Sequence, residues 1–131
     1  MRVLLDTSYL YDLMESLGLF TDAERGFLDD HAARIYVSAV SIREMRLKFQ
    51  ARHGSGVRKS RFDPEDVVAA LEQQDVTFLP MTMVHACRSL EVAVPHRDPF
   101  DELLLAQAQE EGLRLLTVDR RLVGHPLAIT P

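Results

Sequence analysis

A chain of 131 residues suits a single domain, residues 1–131, and a chain of that size buries roughly two thirds of the surface its unfolded form exposes, enough for a pocket inside a real core. With 47% hydrophobic and 27% charged residues and only six Gly and six Pro, the composition excludes disordered, fibrous and low-complexity classes. A net charge of −5 argues against a surface that attracts nucleic acid everywhere, and the single Cys87 excludes an internal disulfide.

No Cys/His set has structural-zinc spacing, which with the lone cysteine fits a reducing compartment, and Cys87 is expected to be a small buried residue. The N-terminal MRVLLDTSYL meets Asp6 after three apolar residues, so it lacks the apolar stretch of a signal peptide, and no run approaches a membrane span. A soluble, cytoplasmic protein with no membrane partner is expected.

In chain order, residues 2–5 (RVLL) read as a strand buried on both faces and ending at Asp6. Leu10, Leu13, Met14 and Leu17 then recur at helical spacing, predicting a helix over 7–17, and Thr21-x-x-Glu24 opens a second one to about residue 31. IYVSAV (35–40) reads as the next strand, after which Ser41-x-x-Glu44 opens a helix carrying Ile42, Met45 and Phe49. The Gly and Ser of residues 53–62 predict a flexible basic loop, and Asp63-Pro64 restarts a helix to about residue 74. A short strand over 76–81 and a helix containing His85, Cys87 and Leu90 follow.

Asp98-Pro99 predicts the next helix start, with Asp98 as N-cap, Pro99 first and Asp101 third, and Gly112 stops that helix. LRLLTV (113–118) is the clearest strand and runs into Asp119; a last strand is expected over 127–129. Strands alternating with helices imply an α/β fold with a short central parallel sheet and helices on both faces, in which ligands bind beyond the carboxyl ends of the strands.

That placement gathers the acids. Asp6 and Asp119 follow two strands, while Glu44 and Asp101 fall in the first turns of helices opening on the same crevice. Converging carboxylates raise one another's pKa unless a cation sits among them, and hard oxygen ligands suit Mg²⁺ or Mn²⁺. Such a site supports metal-assisted hydrolysis of a phosphodiester without a side-chain nucleophile, by one or two ions. Helix capping competes with this reading at each acid. Seven of the 15 Lys and Arg (Arg43, Arg46, Lys48, Arg52, Arg58, Lys59, Arg61) lie within 43–61, where Glu44 is the only acid. This strip is either a solvated face or a phosphate-binding edge, and Arg43, Arg46, Arg52, Arg58 and Lys59 are the candidate RNA contacts.

Taken together, LLDT at the N-terminus, Ser41-x-x-Glu44, HRDPFDELLLAQA and LLTVD resemble the PIN-domain ribonucleases, and most of all the VapC-type toxins of VapBC toxin–antitoxin systems. The resemblance covers nearly the whole chain, and DPFD followed by an apolar helix is its most specific part. It implies a PIN-like three-layer fold and endonucleolytic cleavage of RNA. It also implies a homodimer and a cognate VapB-type antitoxin laid across the active-site groove. Carried over, the acidic quartet falls on Asp6, Glu44, Asp101 and Asp119, with Asp98 at the rim and Thr117 or Thr7 orienting a ligand carboxylate. Ser8 and Arg43 stand where related toxins often carry His and Trp, which leaves the ligand set intact and puts substrate preference in question.

Two rival classes have weaker support. A phosphatase with an aspartyl-phosphate intermediate wants a second Asp at position 8, which is Ser, and a receiver domain wants a lysine after a late strand, whereas the only lysines are Lys48 and Lys59. A non-catalytic PIN-like module binding RNA or protein is the alternative in which the acids serve only as helix caps.

Overall fold

The computed structural model of the chain describes residues 1–15, 21–31, 34–51, 61–94 and 97–131. The expected end of the first helix at Leu17, the positions Phe20, Arg52, His53, Arg58, Lys59 and His96, and most of the basic loop lie outside the described residues.

Among the described residues, five parallel strands form one sheet in the order β3-β2-β1-β4-β5: β1 (Val3–Leu5), β2 (Ile35–Ser38), β3 (Val76–Leu79), β4 (Arg114–Leu116) and β5 (Ala128–Ile129). The first strand is central, flanked by β2 through Val3↔Ile35 and by β4 through Leu5↔Leu116. Its side chains alternate between two cores. Val3 and Leu5 join Tyr9, Leu10, Met45, Val67 and Leu71 on one face, while Leu4 joins Leu104, Leu105, Ala108, Leu115 and Leu122 on the other. A strand buried on both faces needs no polar alternation, which is why RVLL reads as a continuous apolar run.

The first face is covered by α1 (Thr7–Glu15), α3 (Ala39–Gln50) and α4 (Pro64–Leu71), with Phe27 and Leu28 of α2 (Asp22–Asp30) packed at its margin. The second is covered mainly by α6 (Pro99–Glu111), against which α5 (Met83–Cys87) packs. Leu104 and Leu105 of α6 are fully buried, each contributing about 2 kcal/mol of transfer free energy. This is the expected α/β architecture, a short parallel sheet with helices on both faces.

Capping sets where the helices begin. Thr21 and Glu24 form the expected capping box, Asp63 caps α4, and Asp98 caps α6 by accepting the Phe100 N–H at 3.0 Å. At the far end of α6, Gly112 adopts φ 67°, a left-handed conformation that costs glycine nothing.

Several boundaries differ from expectation. Strand β2 stops at Ser38, whose hydroxyl accepts the Val40 N–H at 2.9 Å and so caps α3 three residues earlier than Ser41. Ser41 is buried inside the helix, and Glu44 lies in its second turn rather than its first. Helix α4 ends at Leu71, and α5 ends at Cys87, before Leu90. Strand β4 ends at Leu116, with Asp119 three residues further on as the N-cap of a 3₁₀ turn, Arg120–Leu122. Cys87 is exposed, not buried: it is the last residue of a five-residue helix whose buried residue is His85. No described helix is long and apolar enough to cross a membrane.

Candidate functional site

The carboxyl ends of β1 and β4 meet where the Asp6 N–H donates to the Leu116 carbonyl at 3.0 Å. Asp6 and Thr117, the next residue of each strand's chain, are thereby side by side. The Thr117 hydroxyl donates to Asp6 Oδ2 at 2.6 Å and accepts the Asp119 N–H at 3.0 Å, while Asp6 Oδ1 accepts the Thr7 N–H at 2.7 Å. One fully buried hydroxyl thus fixes a carboxylate on β1 and the backbone of the segment carrying a second.

Thr7 does the same across the β1–β2 side. Its hydroxyl donates to Glu44 Oε1 at 2.8 Å and lies 3.1 Å from the Ser41 hydroxyl. The second oxygen of Glu44 receives Lys48 Nζ at 2.9 Å, one helical turn on. Lys48 also sits over the Tyr11 ring, 5.5 Å from its centroid, so α1 and α3 hold the cation between them. Burial opposes the Lys48 charge more than any single contact favours it, but the bond to Glu44 and the charges of Glu44, Tyr11 and Asp98 together prevail and hold its pKa above the ordinary lysine value.

Asp6, Glu44 and Asp101 are only 6%, 8% and 8% exposed. Burial raises the Asp101 pKa to about 7, and after burial come the charges of Asp6, Asp98, Asp119 and Glu44. Burial likewise raises Asp6, against its bonds from Thr117 and Thr7 and with help from Glu44 and Asp119. Five carboxylates from β1, α3, α6 and the 3₁₀ turn therefore act on one another across a single crevice. Asp98 stands at its rim as the α6 cap, and Glu102 is exposed, away from it.

Asp119 faces a cation of its own chain. Its Oδ1 accepts both the backbone N–H and Nε of Arg121, at 2.9 and 3.1 Å, and its Oδ2 accepts Nη2 at 3.0 Å. Among the described residues, no three His, Cys, Asp or Glu side chains form a ready-made metal cage. The donor set nevertheless suits a hard cation in kind: it is all carboxylate and mutually repelling, with Asp6, Glu44 and Asp101 buried and Asp119 partly so.

The expected quartet of Asp6, Glu44, Asp101 and Asp119, with Thr7, Thr117 and Asp98, is thus gathered in one place. Arg43 and Arg46 are not in it. They line an apolar groove between α3 and α4 with Ile42 and Val68, and Arg46 is paired with Asp63 at 3.1 Å and Glu65 at 3.8 Å. His85 is also elsewhere: its Nδ1 accepts the Thr82 N–H at 3.1 Å, so Nε2 carries the proton and donates to Glu111 at 2.8 Å. The sequence does not by itself mark Ser41, Lys48 and Arg121 as parts of the site. The i, i+4 spacing of Glu44 and Lys48 is a usable signal for one of them.

With this geometry in place, comparison with known proteins is decisive for the family. The PIN domain family matches residues 3–125. The chain belongs to that family. Its fold is similar to the toxin–antitoxin complex from Klebsiella pneumoniae, with TM-score 0.67 and 21% identity over 99% of this chain and 98% of that one. It is also similar to DNA-bound VapBC from Salmonella typhimurium, with TM-score 0.63 and 16% identity over 98% and 95%. FitAcB from Neisseria gonorrhoeae gives TM-score 0.61 and 19% identity over 99% and 97%. No curated protein matches the chain.

Proposed function

We propose that this PIN domain is a Mg²⁺- or Mn²⁺-dependent endoribonuclease and the toxin of a VapBC-type pair, neutralised by a cognate VapB-type antitoxin. The observation that carries the reading is Asp101, a carboxyl raised to about 7 by burial and by four other acids in one crevice. Perturbed acids of this kind mark sites where a charge is awaited. The toxin assignment is supported by the fold's likeness to solved toxin–antitoxin complexes.

Asp6, Glu44, Asp101 and Asp119 would hold the cation. When bound, it would supply an activated water and shield charge developing on the phosphate. The chain's own part is orientation. Thr117 and the Thr7 N–H fix the two oxygens of Asp6, and the Thr7 hydroxyl and Lys48 fix those of Glu44, so neither acid loses further rotamer entropy when a ligand arrives. Asp101 gives up its proton on ligation, so cation uptake strengthens as pH rises through about 7.

Capping alone accounts for Asp98 and leaves Asp101 unexplained, because Asp98 already occupies the cap of α6. Asp101→Asn separates the readings. Under the nuclease reading it abolishes Mn²⁺-dependent RNA cleavage, and the rise in melting temperature that millimolar Mn²⁺ gives the parent disappears. Cleavage by the Asn variant at the parent's rate would leave only a binding module. A homodimer belongs to the same proposal: Phe78, Met81, Met83 and Val84 along β3 and α5 are exposed apolar residues suited to burial by a second copy. Sedimentation of the pure chain at single-chain mass would remove it.

A further inference from the structure

We propose that Arg121 is a built-in competitor for the cation site: its guanidinium and a divalent ion contend for the same two oxygens of Asp119. This rests on the metal-dependent reading above. Both carboxylate oxygens of Asp119 are engaged, Oδ1 by Nε and the backbone N–H and Oδ2 by Nη2, which is the fork geometry that matches a carboxylate best. Lone pairs and negative charge of Asp119 that are taken up by this fork are less available to an ion shared with Asp6, Glu44 and Asp101.

Lys48 and Arg121 are held differently. Lys48 lies between α1 and α3, bonded to Glu44 and resting on Tyr11, with neighbours on both sides to keep it there. The Arg121 side chain is 57% exposed, while the turn that carries it is anchored by the fully buried Leu122. The backbone of the turn can therefore stay in place while the guanidinium swings into solvent. Because exposed ion pairs are weak, this competition lowers cation affinity by a small factor rather than blocking it, about three- to fivefold.

Loss of any positive charge near an acid cluster also attracts cations, so the control must remove the same charge from the same turn. Arg120 is exposed and adjacent, and serves that purpose. Mn²⁺ is titrated calorimetrically into the full chain carrying Arg121→Gln or Arg120→Gln, and into the parent. Competition predicts binding about three- to fivefold tighter in Arg121→Gln, with Arg120→Gln close to the parent. Equal affinity in the parent and Arg121→Gln, or equal tightening in both variants, overturns the proposal while leaving the metal site standing. No Mn²⁺ uptake by any of the three overturns the proposal and the nuclease reading together.

Discussion

Asp101 sits where two influences oppose each other. At the third position of α6 its negative charge is favoured by the helix N-terminus. Burial and four neighbouring acids disfavour the same charge, and they prevail, since its pKa rises from 3.8 to about 7. Between those values the folded chain keeps a proton that the unfolded chain has lost. Protonated Asp101 therefore stabilises the fold fully below about pH 4, and that contribution is lost as pH rises through about 7. Asp101→Asn keeps a neutral group at every pH. In EDTA its melting temperature should equal the parent's near pH 4 and exceed it by several degrees at pH 8. Burial, the largest cause at Asp6, raises it in both proteins, so that part cancels in the difference. Parallel melting curves from pH 4 to 8 would remove the burial and repulsion assigned to Asp101.

At the scale of elements, α6 is aimed by a residue that its own pattern disguises. Gln107 lies in the apolar LLLAQA run and is fully buried. It accepts from the Ser38 hydroxyl at the start of α3 and donates to the Pro80 carbonyl after β3 at 3.3 Å. Gln107→Leu keeps the size but leaves the Pro80 carbonyl without this donor, a loss of about 1–3 kcal/mol in denaturant unfolding. A change within a few tenths would show that the contact does not hold α6. The start and stop of α6 were legible in the sequence because Asp98-Pro99 and Gly112 act locally. The start of α3 was not, since Ser38 and Ser41 both suit a cap and IYVSAV suits strand or helix by apolar content alone. Burial against Thr7 decides between them, placing Ser41 inside and Ser38 at the cap. Asp6, just after a strand, and Asp101, in the first turn of a helix, lie where the sequence pattern puts them, whereas Glu44 lies a turn deeper into α3 than Ser41-x-x-Glu44 suggests. Of their partners, Lys48 is signalled by its i, i+4 spacing from Glu44, whereas Arg121, two residues from Asp119, depends on which way a long side chain folds back, which spacing does not reveal.

For the whole molecule, the question is where an acidic chain would admit an RNA backbone. Of the basic strip, Arg46 is committed to Asp63 and Glu65, Lys48 to Glu44, and Arg61 to Glu15. These cations neutralise their own protein first, and recruiting them for phosphate would expose the acids they cover. Arg52, Arg58 and Lys59 are the remaining candidates beside Arg43. Reversing the charge of all three together should weaken RNA binding and lower the slope of log affinity against log salt by about 2, at about 0.7 for each phosphate no longer neutralised. Measured in Asp101→Asn, where RNA is not consumed, the effect reports binding alone. Arg46→Ala is the counterpart: it should cost stability through its two acids and leave the salt slope within about 0.5 of the parent. If Arg46→Ala lowers the slope by about 0.7 while the triple reversal leaves it unchanged, the backbone runs along the α3–α4 groove instead, and the ion pairs with Asp63 and Glu65 are broken on binding.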